Sequence, residues 1–333
     1  MTKNNFDLLR HVFAFVVVWH HFNVLTGYRV SFIPFEIINS DVAVKGFFVI
    51  SGLLIWISAI NTKYWQAFFI KRAFRIYPAL IFILLISSLV SLIYFDEPVD
   101  DVLRYFSWNS VFLSFKGKCI SDMFDTNVLC AVNGSLWTLK LEVAYYMFIG
   151  IIMFCFKKWA YSLVVTFTIL SFILESSLLL APKSYSSLVS IVENQIPFKF
   201  YYFGLGVIFY NYHEQISSRT LLWLLLISFL GWYILSVEFI FLPLFVISLV
   251  FLLAFRLRSV NFSKHGDLSY GMYIFHFPVI QFMVSEKLFL GVWFIDFILS
   301  IGIVLALSKL SWCFIESESI LWARKLTSKV GVK

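Results

Sequence analysis

Long apolar runs separated by short polar stretches set the pattern of this chain. We place ten apolar segments by hydropathy, with breaks at charged or turn-rich positions; they lie near residues 8–24, 42–60, 77–95, 135–156, 160–181, 198–213, 220–236, 238–255, 269–285 and 291–315. Each approaches the ~20 residues that an α-helix needs to cross a bilayer. The pattern therefore predicts an all-α fold, a single polytopic membrane domain over residues 1–333 with about ten transmembrane helices.

The composition argues against an ordinary soluble protein. Hydrophobic residues make up 61% of the chain and charged residues 14%, whereas a soluble domain carries roughly 25% charged residues. The net charge of +7 does not indicate a nucleic-acid partner, because Lys and Arg fall between apolar runs rather than on one basic face. The first run is followed by His20, His21 and Phe22 instead of a small-residue cleavage site, so we expect this helix to be retained.

The distribution of basic residues predicts the orientation in the membrane. Most of them fall in alternate polar segments, on the side that also holds the N-terminus, so the positive-inside rule places both termini in the cytoplasm, with a tail over about 316–333. The longest loop, about 96–134, would lie outside and carry a short interfacial helix from Leu103 to Phe115. Cys119 and Cys130 share this loop, and a disulfide would form if it faces an oxidising compartment. The sequence leaves that pairing open.

Two ionisable residues of the first apolar run would share one helix face. Arg10 and His21 are eleven positions apart, which at 100° per residue brings them within about 20° of each other after a climb of ~16 Å. His21 would then lie near mid-bilayer, where ionisable side chains are costly and often functional. A neutral imidazole there could act as a general base; the alternative is a core histidine bonded to a neighbouring helix. For His20, which points elsewhere, we favour that alternative.

Other charged residues border or interrupt the runs. Arg72 and Arg75 would be neighbours on a helix, and two guanidinium groups there could bind phosphate. A basic stop at the end of a span would explain them equally well. Glu142 lies inside a span, where a carboxylate needs a partner. It could orient His21 or stabilise its imidazolium, or it could pair with Lys140.

Two further positions favour a structural interpretation. Ser51 and Gly52 form a small, hydroxyl-bearing step in an apolar helix, which is typical of close helix packing. His276 lies within a span, two residues before the helix-kinking Pro278, and by itself indicates packing or a backbone hydrogen bond. No metal-ligand spacing emerges, so we expect no metal cofactor.

The order of these motifs resembles that of the acyltransferase-3 family of membrane O-acyltransferases. The family's first three motifs are Arg or Lys followed after ten residues by His, then FFxxSG, then RxxR; they are met by Arg10 and His21, by Phe47, Phe48, Ser51 and Gly52, and by Arg72 and Arg75. Its last two are Trp-Ser-Leu-x-x-Glu with a later Tyr, and Ser-Tyr-x-x-Tyr-x-x-His-x-Pro; they are met by Trp137, Leu139, Glu142 and Tyr146, and by Ser269, Tyr270, Tyr273, His276 and Pro278. Thr138 stands where the family often has Ser, which preserves the hydroxyl.

The resemblance implies an enzyme of the bacterial inner membrane. Such an enzyme transfers an acyl group, usually acetyl, from cytoplasmic acetyl-CoA to a sugar hydroxyl of a lipid-linked or surface polysaccharide, such as the O-antigen of lipopolysaccharide. The CoA phosphates would bind Arg10, Arg72 and Arg75. His21 would deprotonate the acceptor hydroxyl or transiently take the acetyl group, with Glu142 as its orienting partner. Acyl-CoA, the glycan acceptor and membrane lipid are therefore the expected partners.

Several points stay open at the level of the sequence. The residues Ser51, Trp137, Tyr146, Tyr273 and His276 are candidates either for substrate contact or for structure. The hydrolase-like domain that some members carry at the C-terminus is absent from the sequence, so we expect the stand-alone type. The alternatives are a lipid-linked sugar flippase or a glycan polymerase, and neither predicts the Arg10 and His21 pair.

Overall fold

The computed structural model describes residues 4–179, 195–260 and 266–329, and these residues contain helices and no strand. The predicted all-α fold is therefore confirmed. In chain order the α-helices are α1 Phe6–Thr26, α2 Ile33–Ile37, α3 Ser40–Ile60, α4 Trp65–Ile93, α5 Val99–Ser110, α6 Trp137–Cys155, α7 Ala160–Leu179, α8 Ile196–Tyr212, α9 Ser218–Phe229, α10 Glu238–Phe255, α11 Ser269–Ser285, α12 Trp293–Ser311 and α13 Ser317–Lys329.

The helices agree with a polytopic membrane protein. Within the described ranges, seven helical segments are long and apolar enough to cross a membrane: Phe6–Thr26, Ser40–Ile60, Trp65–Ile93, Gly134–Cys155, Lys157–Leu178, Glu238–Phe255 and Trp293–Lys329. The other three predicted spans fall on shorter helices, since α8 and α11 have 17 residues each and α9 continues as a π-turn to Ile234. The count of ten spans and the cytoplasmic termini stay predictions.

Helix α4 begins much earlier than the predicted span of residues 77–95. The helix starts at Trp65 and contains Pro78, which has no N–H to donate to the carbonyl of Phe74, four residues before it. Ser319 Oγ donates to this carbonyl instead, at 2.6 Å. The helix passes through the proline because another segment supplies the missing donor, which hydropathy does not reveal.

The long loop and the C-terminal tail also differ in detail from their predictions. Helix α5 covers Val99–Ser110, a little before the predicted Leu103 to Phe115, and Phe112 beyond it has φ 63°, outside helical conformation. Cys119 and Cys130 form a disulfide, which resolves the pairing that the sequence leaves open. The predicted tail from about residue 316 is helical as far as Lys329, because a π-turn continues α12 into α13.

The chain forms two compact units, each built from three separate segments. Unit 1 comprises Met1–Arg10, Asp41–Phe69 and Leu141–Lys264, and unit 2 comprises His11–Ser40, Ile70–Lys140 and His265–Lys333. The prediction of a single membrane domain stays a prediction.

Close contact between α3 and α8 characterises unit 1. A Cβ added to Gly52 would overlap the carbonyl oxygen of Phe203, and one added to Gly206 would overlap that of Val49. The two backbones therefore touch at both glycines, in the manner of small residues at membrane helix interfaces. The packing role predicted for the step at Ser51 and Gly52 is confirmed for Gly52.

Candidate active site

Two histidines from separate helices meet inside unit 2. His21 lies on α1 and His276 on α11, and their rings stack with centroids 4.9 Å apart. The Nδ1 atom of His21 is 2.8 Å from Nε2 of His276, within hydrogen-bond distance. His276 is fully buried, whereas His21 is half-buried and keeps part of its surface accessible. The structure thus joins two residues that the sequence indicates separately.

Hydrogen-bond partners determine which ring nitrogens carry protons. Nδ1 of His276 lies 3.0 Å from the carbonyl oxygen of Met272, and because a carbonyl only accepts, this Nδ1 is protonated. In the neutral ring, Nε2 of His276 then has a free lone pair and accepts a hydrogen bond from the Nδ1–H of His21. Nε2 of a neutral His21 consequently carries the lone pair that a general base or a nucleophile needs.

The backbone of α11 beside His276 is stabilised from outside the helix. Pro278 has no N–H, so the carbonyl of Ile274, four residues earlier, lacks its usual helical donor. Asn133 Nδ2 donates to that carbonyl at 2.9 Å, and Asn133 is itself buried. The backbone around His276 is therefore satisfied by the turn that precedes α6.

The same turn contacts the tyrosine of the last motif. The hydroxyl oxygens of Thr138 and Tyr273 are 2.6 Å apart, and Ser135 Oγ donates to the Tyr273 carbonyl at 3.1 Å. Thr138, which replaces a serine often found in the family pattern, keeps its hydroxyl bond. Tyr273 is buried in this cluster, so the structure assigns it a packing and bonding environment within unit 2.

Sequence reasoning missed the turn residues Asn133 and Gly134. A Cβ added to Gly134 would lie 2.5 Å from the ring of Phe277, so only glycine fits there without displacement. The available signal was Pro278, because a proline inside an apolar helix requires a donor from elsewhere. That signal does not say which residue supplies the donor.

Glu142 lies in unit 1, where two hydroxyl groups donate to its carboxylate. Tyr146 donates to Oε1 from one turn further along α6, and Ser51 Oγ of α3 donates to the same atom at 3.3 Å. Three predicted candidates therefore form one hydrogen-bonded group. The orienting role of Glu142 toward His21 and its pairing with Lys140 stay predictions.

Arg75 lies between two carboxylates in unit 2. Its guanidinium pairs with Asp267, and its Nη1 is 3.8 Å from Oε2 of the buried Glu316. Asp267 also accepts from the backbone N–H and the hydroxyl of Ser269, at 3.2 and 2.5 Å, at the start of α11. Arg75 thus ties α4 to the N-terminus of the helix that carries His276.

The remaining candidates lie on α1, α4 and α6. Arg72 is half-buried on α4, one turn before Arg75, so the two arginines are neighbours on one helix as predicted. Arg10 is half-buried on α1, the helix of His21, and Trp137 is the half-buried first residue of α6. Their roles in binding a donor or an acceptor stay predictions.

Similarity to known proteins extends over most of the chain and is not limited to one motif. A sequence model of the acyltransferase-3 family, described as an acyltransferase domain, matches residues 3–313. Because that range includes all five motifs, the match covers the His21 and His276 pair, the Arg72 and Arg75 pair, and Glu142.

Two curated proteins are similar to the chain over nearly its full length. One is Nodulation protein 10 of Rhizobium leguminosarum bv. viciae, 26% identical over 361 aligned positions that cover 98% of this chain and 96% of that protein. Another is the O-acetyl transferase of Shigella phage Sf6, 28% identical over 340 positions, with 96% of each protein covered. No solved structure matches the chain significantly.

Proposed function

Because the chain belongs to the acyltransferase-3 family, we propose that it transfers an acetyl group from acetyl-CoA to a sugar hydroxyl of a lipid-linked or surface polysaccharide, such as O-antigen. The similarity to a phage O-acetyl transferase supports the acetyl group and the oxygen acceptor. The observation that carries the proposal is the hydrogen-bonded His21 and His276 pair, which leaves Nε2 of His21 with a free lone pair. We place the enzyme in the bacterial inner membrane.

The reaction needs one base and produces one thiol. Nε2 of His21 takes the proton of the acceptor hydroxyl while the oxygen attacks the thioester carbonyl carbon. A new C–O bond forms, the C–S bond breaks, and the proton passes from His21 to the departing sulfur, which leaves as CoA thiol. His276 stabilises the imidazolium of His21 during this step by accepting from Nδ1–H, so its buried Nε2 acts as a positioning group.

The donor carries its charge on phosphates, which need cationic partners. Arg72 and Arg10 are the candidates for this role, since guanidinium groups match phosphate oxygens. Arg75 contributes less to phosphate binding in this proposal, because its charge is already balanced by Asp267 and Glu316.

The proposal is tested by analysing surface polysaccharide from cells that carry the wild-type chain, His21→Ala, or no copy. We expect mass spectrometry and NMR to show one O-acetyl signal that is lost in both defective strains, at matched membrane levels of protein. His213→Ala, a histidine replacement in unit 1, serves as the control and should keep the signal. Unchanged acetylation with altered glycan length or amount would instead indicate a polymerase or a flippase.

Dependence on the donor is measured separately. Inverted membrane vesicles that contain the wild-type chain should release free CoA from acetyl-CoA only when the glycan acceptor is present, and those with His21→Ala should not. Acetylation that continues without acetyl-CoA would exclude this donor.

A further inference from the structure

A cavity of ≈ 270 Å³ lies within unit 2, at the C-terminal end of α1. Its wall includes three aromatic side chains, Trp19, Phe32 and Phe35, and two charged ones, Arg29 and Glu36. His20 also lines the cavity. In the predicted orientation this end of α1 faces the outside of the cell, so the cavity would open toward the compartment that surface glycans reach.

The cavity wall is held by specific hydrogen bonds. Asn23 Nδ2 donates to the Trp19 carbonyl at 3.0 Å, and its Oδ1 accepts from the Val30 N–H at 2.7 Å, which fixes the turn after α1. Tyr28 donates to Asp296, and this hydrogen bond raises the pKa of Tyr28 to about 12. Hydrogen bonds to neighbouring residues of unit 2 therefore hold this turn in one conformation.

Arg29 projects from this turn with an unusual backbone conformation. Its φ is 51°, in the left-handed region that non-glycine residues rarely adopt. The side chain is exposed, and no hydrogen bond or ion pair to it occurs among the residues that the structure describes. Glu36, which also lines the cavity, accepts a hydrogen bond from Ser31. The cavity thus holds a guanidinium donor and a carboxylate acceptor beside aromatic faces.

This combination fits a pyranose ring. The C–H faces of a sugar pack on aromatic rings, while its hydroxyls both donate and accept, as Glu36 and Arg29 respectively require. The volume lies just below the roughly 300–1,000 Å³ of sites for drug-sized ligands, which suits one sugar ring and is too small for an acyl-CoA.

The cavity is also adjacent to the histidine pair. The ring of His20 lines it, and the ring centroids of His20 and His21 are 5.4 Å apart. We propose that this cavity binds the pyranose ring of the acceptor, or a ring next to it, and presents the glycan to His21. This inference rests on the proposed function and adds the location and chemistry of the acceptor subsite.

Binding is tested with methyl glycosides of glucose, galactose, mannose and rhamnose as probes. Saturation-transfer NMR is recorded on the full chain with His21→Ala in lipid nanodiscs, against empty discs. We expect transfer to at least one probe, and about tenfold weaker binding when Arg29→Ala or Glu36→Gln is added, since each removes a charged hydrogen-bond partner. Arg104→Ala, an exposed arginine on α5 outside the cavity, should leave binding unchanged.

Two results would overturn the subsite: no probe bound above empty discs, or equal binding by the Arg29→Ala and Glu36→Gln proteins. Polysaccharide acetylation in cells separates this failure from that of the proposed function. If His21→Ala loses acetylation but no glycoside binds, only the proposed subsite is refuted. If a glycoside binds but cells with His21→Ala still acetylate their polysaccharide, only the proposed acetyl transfer is refuted. Acetylation in cells whose glycan polymerase is deleted then shows whether single lipid-linked units or assembled polymer supply the ring.

Discussion

At the scale of single residues, the carbonyl oxygen of Met272 determines which nitrogen of His276 carries a proton. It holds the proton on Nδ1 of His276, which leaves the other nitrogen to accept from His21. In the proposed mechanism this fully buried histidine therefore acts through its tautomer. The same logic operates wherever an acceptor fixes a catalytic histidine, and loss of that acceptor typically lowers the rate far more than it weakens substrate binding.

Replacement of His276 tests this assignment. His276→Gln places an amide oxygen near the position of Nε2 and can still accept from His21, whereas His276→Phe keeps the ring volume and removes the acceptor. We expect His276→Phe to lower kcat by about 10²-fold with little change in the KM for acetyl-CoA. His276→Gln should recover most of this loss.

The measurement is steady-state acetyl transfer by purified protein across a pH series, with melting temperatures for each variant. Loss of the acceptor should also change the pH profile of kcat, because the imidazolium of His21 loses its hydrogen-bond partner. Equal activity of the Phe and Gln variants at equal stability would show that His276 only fills space.

Glu142 illustrates a different limit at the residue scale. Its position inside an apolar run predicts that it has partners, and the structure supplies the hydroxyls of Tyr146 and Ser51. The sequence could not identify Ser51, because residues 91 positions apart meet only through the packing of α3 and α6. The sequence pattern therefore predicts that Glu142 accepts a hydrogen bond, but it does not identify the donor.

At the scale of helices, two prolines inside helices each leave a carbonyl that accepts a hydrogen bond from another segment. Asn133 donates to the Ile274 carbonyl that Pro278 leaves unsatisfied, and Ser319 does the same for Phe74 four residues before Pro78. An unsatisfied buried carbonyl costs about 1–3 kcal/mol. We therefore expect Asn133→Ala to lower the melting temperature and, by moving His276, the activity.

A second substitution makes this prediction specific. Pro278→Ala restores an N–H that can donate to the Ile274 carbonyl, so Pro278→Ala added to Asn133→Ala should recover part of the lost stability. Pro278→Ala should not rescue Ser319→Ala, because Ser319 donates to the Phe74 carbonyl that Pro78 leaves without a helical donor. Thermal unfolding in detergent measures all combinations, and additive effects of Asn133→Ala and Pro278→Ala would refute the proposed compensation.

Arg75 could either join α4 to α11 or bind the phosphates of the donor. If it mainly joins α4 to α11, Arg75→Ala leaves the carboxylates of Asp267 and Glu316 without their cation and should cost about 3–5 kcal/mol. Arg72→Ala should instead raise the KM for acetyl-CoA. Thermal unfolding and donor titration distinguish the two: a higher donor KM for Arg75→Ala at unchanged stability would return it to the phosphate site.

Element boundaries show how far the sequence predicts this fold. The ninth predicted span, residues 269–285, coincides with α11 because polar loops and a proline mark its surroundings clearly. The helix that holds the third predicted span, residues 77–95, begins earlier, at Trp65, although the basic cluster around Arg72 and Pro78 both indicate a boundary. Helix α4 continues because Ser319, 245 positions away, supplies the missing donor.

At the scale of the whole molecule, apolar content and motif order predict a helical membrane acyltransferase correctly. The sequence also indicates both His21 and His276, yet it gives no reason to place them in contact, because helix pairing depends on packing between residues 255 positions apart. The cavity beside His20 was missed for the same reason. Its wall comes from the end of α1, the following turn and α2, and no single motif marks it.

Orientation in the membrane is the property on which the donor and acceptor sides depend, and the cysteines can test it. The loop between α4 and α6 contains the Cys119 and Cys130 disulfide, whereas Cys155 at the end of α6 is a free, exposed thiol. The predicted topology puts the disulfide outside, where oxidising conditions maintain it, and Cys155 in the cytoplasm. In spheroplasts, an impermeant maleimide should therefore label Cys119 and Cys130 only after reduction.

Variants isolate each thiol in this measurement. With Cys155→Ser and Cys313→Ser, labelling reports only the loop; with Cys119→Ser, Cys130→Ser and Cys313→Ser, it reports only Cys155 and should require a broken membrane. Labelling of Cys155 from outside intact spheroplasts would show that the topology is the reverse of the predicted one. The cavity beside Arg29 would then open to the cytoplasm, and a glycan acceptor would have to reach His21 from the same side as acetyl-CoA.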